Sequence, residues 1–310
     1  MAGFNSNEYR MLQSFQWQNL SSDQQFSLWK DAKIKTFAHV NAAAPIRIKS
    51  FNTADFDSIK SIKDQCRGAN LSLFEIHDVP KSENEAAKEL AGFASRFGLT
   101  LPETHRSEGE DGVVALKTSS ASRQKGYIPY TPRALNWHTD GYYNAESARV
   151  QAFALYCHNP AVKGGDNQFI DGEIAYMRMR DENPDYVRAF MHPQALTIPA
   201  NEENDGDGRP VSVGPVFYPD SVTGRLQIRY TARTRSIEWR TDTQTQEAVA
   251  WMREWLDRGD EFRVQLGLKA GQGVLNNNVL HNRTSFEDDP NGGGQRIMMR
   301  ARFHDRISEE

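Results

Sequence analysis

From about residue 148 onward the chain is cut into short apolar runs by Gly, Pro, Asn and Asp. The runs are Ala148–Tyr156, Asn167–Ile170, Ala195–Ile198, Gly214–Tyr218, Leu226–Tyr230, Phe262–Gln265, Gly273–Leu280 and Arg296–Phe303. Short β-forming runs separated by turn chemistry predict an all-β sandwich or barrel, with a jelly roll among the options. Two helices interrupt the pattern. Thr243–Leu256 places Val249, Met252 and Trp255 on one side, and Gly172–Glu182 is the second.

The first half is more helical. Ser22–Ala38 and Ala54–Cys66 have approximate helical spacing, and Leu71–His77 alternates as a strand does. Ser82 and Glu85 form a capping box for a helix that runs to about Phe97 and stops at Gly98. Gly112–Lys117 reads as a short strand. The fold class expected is mainly β with flanking helices. With no repeat and no linker, residues 1–310 read as one domain, and 1–70 as an N-terminal helical elaboration. Two polar stretches, Thr118–Lys125 and Asn201–Arg209, read as surface loops and as lid candidates.

Composition narrows the function. The net charge of −4 lacks the clustered basic footprint of a nucleic-acid binder. No run approaches 18 apolar residues, so no membrane span is expected, and residues 1–10 lack a secretory signal. Cys66 and Cys157 are far apart and suit neither a zinc ribbon nor a disulfide framework. They read as buried small hydrophobes in a reducing, cytoplasmic setting. The sequence leaves a homo-oligomer open.

The chemistry centres on Asn136-Trp137-His138-Thr139-Asp140-Gly141-Tyr142-Tyr143. On a strand, residues two apart face the same way, so His138 and Asp140 could grip one metal ion. His281, at the end of a later apolar run, is a candidate third ligand. Two imidazoles and a carboxylate form the facial set that suits non-haem Fe(II) and leaves positions for other ligands. A satisfied core histidine at 281 and a surface turn at 138 are the competing readings. Arg296 and Arg300 lie four residues apart on a predicted strand and face one way. Buried, they would demand an anion, for which a planar guanidinium is a natural clamp. On an edge strand they would sit in solvent, and Arg302 has the same parity.

These motifs together carry a resemblance. Trp-His-Thr-Asp-Gly, then Gly164-Gly165-Asp166-Asn167, then Leu-His-Asn-Arg, then Gln-Arg-Ile-Met-x-Arg resemble the TauD/TfdA family in order and spacing, from about Leu71 to Phe303. The family comprises Fe(II)- and 2-oxoglutarate-dependent dioxygenases. The resemblance implies a double-stranded β-helix (jelly-roll) core. It implies iron held by His138, Asp140 and His281, and Arg296 on the distal carboxylate of 2-oxoglutarate. It places Arg300 beside the co-substrate, able to contact an anionic substrate. The position after Gly-Gly-Asp, Thr in the family, is Asn167 here, whose amide can still donate a hydrogen bond. The reaction implied uses O2, releases succinate and CO2, and oxidises a C–H bond of a small anionic or zwitterionic molecule. Related halogenases lack the carboxylate ligand, so Asp140 points to oxygen insertion.

Two other classes fit the residues. One is a zinc hydrolase with the same ligands and an activated water. The other is a non-catalytic jelly-roll binding module. Ile228-Arg229-Tyr230-Thr-Ala-Arg233 resembles an arginine-tyrosine strand of the family, with a structural strand as the alternative. Trp137, Tyr142 and Tyr143 could line a pocket or pack as core. The remaining histidines, 39, 77, 105, 158, 192 and 304, have no ligand-like spacing and read as structural.

Overall fold

The computed structural model describes residues 6–41, 44–103, 112–119, 128–201, 208–289 and 294–307. The expected loops 118–125 and 201–209 lie mostly outside them, as does His105.

Mixed sheets with flanking helices make up the fold. The larger sheet has six strands in the order Ile46–Ile48, Leu71–Ile76, Gln272–Asn276, Ala152–Asn159, Ile297–Phe303, Val113–Leu116. All its pairs are antiparallel except the first, which is parallel. A four-stranded antiparallel sheet runs Val264–Leu266, Asn167–Ile170, Leu280–Arg283, Leu135–His138.

Strand alternation sorts the large sheet into two faces. Phe74, Tyr156, Met299, Ala301 and Phe303 face helices Phe56–Ala69 and Glu83–Ser95, packing on Ile62, Leu90 and Phe93. Leu71, Phe153, Leu155, Val274 and Met298 face the other way and share a core with Phe169 and Val279. The two sheets therefore enclose an apolar interior between them. Side-chain caps open the helices, at Ser82 as the sequence suggests and also at Asp242. Ser82 accepts from the Glu85 amide at 3.2 Å, and Asp242 caps Thr243–Arg258 through the Thr245 amide at 3.0 Å.

Two expectations need correction, and one helix was not expected. Gly273–Leu280 is not one strand. It ends at Asn276 in the large sheet and restarts at Leu280 in the small one, turning at Asn278, whose φ is +51°. Gly214–Tyr218 likewise splits between Ser212–Gly214 and Phe217–Pro219, which lie in different sheets. Apolar content alone does not register such corners; the Asn run that makes the first one does. Helix Pro184–Phe190, seven residues long, follows an Asn183 cap and has too few turns to show a periodicity.

The N-terminal helices are tied in by charge as well as packing. Trp17, Phe26 and Trp29 surround Tyr176 of helix Gly172–Glu182. Lys33, fully buried, lies 2.5 Å from Asp171, also contacts Glu173, and donates to the Gly68 carbonyl at 2.8 Å. Arg225 shares Glu173 at 3.0 Å. Among the described residues no helix is long and apolar enough to cross a membrane.

Removing one partner of a buried charge network strands the others. Lys33→Ala is expected to cost about 3–5 kcal/mol in urea unfolding. A loss below about 1 kcal/mol, the scale of an exposed pair, would show that the network does not fasten the helices.

Candidate metal and anion site

The small sheet builds the site around its two histidines. His138 ends strand Leu135–His138, and His281 lies opposite it in register on Leu280–Arg283. Their ring centroids are 4.2 Å apart. Asp140 is not on the strand, so the same-face argument does not apply to it. The chain turns directly after His138, and the turn brings the carboxylate back. Gly141, at φ +64°, makes this possible, since a Cβ there would come within 2.5 Å of Val150. Asp140 Oδ1 stands 3.6 Å from His138 Nε2 and 3.9 Å from His281 Nε2. All three residues are buried, and they form the one His/Cys/Asp/Glu cluster of metal-binding geometry among the described residues.

Hydrogen bonds fix which nitrogen of each imidazole is free. His138 Nδ1 lies 2.8 Å from the Asn136 carbonyl, and His281 Nδ1 lies 2.9 Å from the Val279 carbonyl. A carbonyl only accepts, so each Nδ1 carries the proton. In a neutral ring Nε2 then presents a lone pair. Burial, then the neighbouring His138, lowers the His281 pKa to about 3, so its ring is neutral. Burial pushes the Asp140 carboxyl up, but the guanidinium charges of Arg300 and Arg302 outweigh it and hold the group well below the usual range. Two lone pairs and a carboxylate converge, and Asp140 Oδ2 is buried without a hydrogen bond. That donor set fits a divalent metal with open positions.

A residue that sequence reading missed holds Asp140 in place. The Asn278 side chain accepts from the Asp140 amide at 2.8 Å and donates to its carbonyl at 2.9 Å. It also donates to Val150 at 2.8 Å. The signal was present in the sequence as Asn in the left-handed conformation, within the Asn276–Asn278 run.

The arginines line the interior face of Ile297–Phe303. This strand lies inside the sheet, and Arg296, Arg300 and Arg302 are all buried, which rules out the solvent-edge reading. Ile297 and Met299 belong to the opposite, helix-covered side, as expected. Arg300 Nη1 is 3.4 Å from Asp140 Oδ2. Arg302 pairs with Glu103 at 2.5 Å and donates to the Tyr143 hydroxyl at 3.1 Å. Arg296 has no carboxylate at ion-pair distance among the described residues. Its guanidinium lies 5.0 Å from the Phe286 ring, and it lines a cavity of about 260 Å³ with Gly164, Gly165, Asn167, Gly267 and Lys269. Gly165 leaves room for it, since a Cβ there would sit 3.0 Å from Arg296 Nε. Asn167 donates to the Asn282 carbonyl at 3.3 Å, and its Oδ1 is buried without a partner.

The rest of the sequence candidates fall outside the cluster. Arg283 turns away to the carbonyls of Thr131, at 2.8 Å, and Arg133. Cys66 and Cys157 are free and buried, and burial raises the Cys157 thiol to about 11, as expected of inert core thiols. Tyr142 stands edge-on to His138, with ring centroids 6.4 Å apart, and Tyr143 is edge-on to Tyr142 at 5.2 Å.

The chain is similar to several known proteins. A uridine-5′-phosphate dioxygenase from an Amycolatopsis species is 28% identical over 198 residues, 61% of this chain and 66% of that enzyme. The match thus spans just under two-thirds of that relative. An asparagine oxygenase, solved with Fe(II), 2S,3S-3-hydroxyasparagine and succinate, has 12% identity and a TM-score of 0.55 over 96% of this chain and 92% of its own. A taurine dioxygenase from Burkholderia xenovorans has 17% identity and a TM-score of 0.51 over 80% and 82%. At such identities these structures speak for the fold. The sequence model of the taurine catabolism dioxygenase TauD, TfdA family matches residues 37–302, so the chain belongs to that family of dioxygenases.

Proposed function

We propose that this protein is an Fe(II)- and 2-oxoglutarate-dependent oxygenase that oxidises a C–H bond of a small anionic molecule. The carrying observation is the convergence of His138 Nε2, His281 Nε2 and an Asp140 carboxylate beside a buried arginine strand. Bound iron would supply the O2 chemistry that protein side chains cannot. Everything else falls to the chain.

His138, Asp140 and His281 would hold the metal. The Nδ1 hydrogen bond of each imidazole to a backbone carbonyl keeps the Nε2 lone pair aimed inward, as carbonyl partners of metal-bound histidines do. Arg296 would take the far carboxylate of 2-oxoglutarate. It stands four strand residues from Arg300, roughly 13 Å along the strand, which leaves room for a five-carbon diacid between it and the metal. Asn167 lies in the same cavity, and one amide hydrogen remains for the co-substrate after its bond to Asn282. Arg300, next to Asp140, would neutralise the ligand set or meet an anionic substrate. The intact triad and the unpaired Arg296 support this reading over a non-catalytic module. Family membership and the arginine anchor support it over a zinc hydrolase, which needs no diacid site.

The same proposal includes a double-stranded β-helix core, supported by the two face-to-face sheets and by the solved relatives. It treats the chain as one domain with a helical N-terminal addition, supported by the buried Lys33 network. The free, buried cysteines suit a reducing cytoplasm. A phosphate ester is the first substrate class to test, because a relative is named for uridine 5′-phosphate.

His138→Ala is expected to abolish iron binding and 2-oxoglutarate turnover; unchanged succinate formation would sink the triad assignment. Arg296→Ala should weaken 2-oxoglutarate binding by about 2–5 kcal/mol, the loss typical of one desolvated charge partner. A titration matching wild type would mean that another group anchors the diacid. Asn278→Ala should lower iron affinity about 10–100-fold, as outer-shell deletions do, and lower stability as well, since it unpairs the Asp140 amide and carbonyl and places Ala at φ +51°. Equal affinity by chelator competition would show that Asp140 holds its place unaided.

A further inference from the structure

Four guanidinium groups converge on the two tyrosines that follow the His-x-Asp pair. Arg229 Nε donates to the Tyr142 carbonyl at 2.7 Å, and Arg233 Nη1 donates to the Tyr142 hydroxyl at 2.9 Å. Arg209 Nη1 donates to the Tyr143 carbonyl at 3.3 Å, and Arg302 reaches the Tyr143 hydroxyl. Of the four, only Arg302 has a carboxylate, Glu103, among the described residues. Arg229, Arg233 and Arg209 form no ion pair there. Three guanidinium charges with no carboxylate partner among the described residues stand around two adjacent rings, in a chain whose net charge is −4. Their mutual repulsion costs stability unless an anion arrives to relieve it.

The three differ in what they can still offer. Arg229 is buried, and its remaining donors go to the carbonyls of Leu196, Gly214 and Ser212 and to the Ser212 hydroxyl, all within 3.3 Å. Burial, then the neighbouring Arg149, lowers its pKa to about 10, still charged at neutral pH. Arg209 is half-buried and also donates to the carbonyls of Pro199, at 2.9 Å, and Pro210, at 3.3 Å. These two are fixed in place and supply field. Arg233 is exposed, and Tyr142 is its one side-chain partner among the described residues. Most of its donor fork is therefore free, and Tyr142 orients it. The same Tyr142 ring stands against His138. Arg233 thus stands one side chain away from His138, with Tyr142 between them.

We propose that Arg233, oriented by Tyr142 and backed by the charge of Arg209 and Arg229, is a second anion subsite, which takes the phosphate-monoester group of the substrate. A planar fork with free donors suits a phosphate's bidentate geometry. The field of several like charges favours a dianion over a monoanion. The subsite is distinct from Arg296, which faces the Gly164–Gly165 cavity. This inference rests on the proposed function for the idea that a substrate approaches His138, but its test does not need iron.

Calorimetry on the full chain, with and without Fe(II) under argon, should compare uridine 5′-phosphate, uridine and inorganic phosphate. Wild type is expected to bind the nucleotide at least tenfold more tightly than the nucleoside. Arg233→Gln should erase that ratio, and Arg233→Lys should keep part of it. The preference should weaken as salt is raised. A variant R233Q that keeps the full preference, or a wild type that binds neither phosphate probe, would overturn the subsite. Failure of the wild type to take up Fe(II) in the same experiment would instead overturn the proposed function.

Discussion

The site depends on one corner of the chain. Between Asn276 and Leu280 the backbone leaves the large sheet for the small one, and Asn278 makes the turn in a left-handed conformation. That crossing sets His281 in register with His138. The same asparagine bonds both backbone groups of Asp140. One local distortion thus positions the second imidazole and the carboxylate together. A buried side chain that bridges two elements with all its polar atoms satisfied is rigid, and rigidity is what a ligand set needs before metal arrives.

Charge organises the space around that corner. A single strand face carries Arg296, Arg300 and Arg302, all buried. Each has a different counterpart. Arg302 has Glu103 and Arg300 has Asp140, while Arg296 lines a cavity and has no carboxylate at ion-pair distance of its guanidinium among the described residues. A buried guanidinium without an anion is costly, and the cost is recovered only when a ligand supplies one. The gradient from a paired to an unpaired arginine along one strand therefore reads as a map of where ligand charge belongs. The tyrosine pair that follows the His138–Asp140 turn gathers further arginines, so the His138–Asp140–His281 cluster is flanked by guanidinium groups from more than one element.

Much of this was legible in the sequence, and the reasons for the rest are physical. Helix Thr243–Arg258 follows from its apolar spacing, which is local, and the structure adds an Asp cap to it and to helix Gly172–Glu182. Strand Asn167–Ile170 follows from its flanking turns. That His138, Asp140 and His281 would come together was legible because several motifs recur in family order, not because His-x-Asp is rare. The geometric reason offered for it was incomplete, since Asp140 lies in a turn after the strand. Corners escaped because an apolar run looks the same whether or not the chain changes sheets within it. The partners of Tyr142 and Tyr143 escaped because Arg209, Arg229, Arg233 and Arg302 are 66 to 159 residues away. Side chains that bond across such separations leave no periodicity to read.

The central claim is that the triad and Arg296 together hold Fe(II) and 2-oxoglutarate in one site. Its most direct test is the visible spectrum of the protein titrated without air, first with Fe(II) and then with 2-oxoglutarate. The account predicts a weak charge-transfer band that forms only when both are present, with one equivalent of each at saturation. No band with both bound, or a protein that takes up zinc and a water but no 2-oxoglutarate, would contradict it.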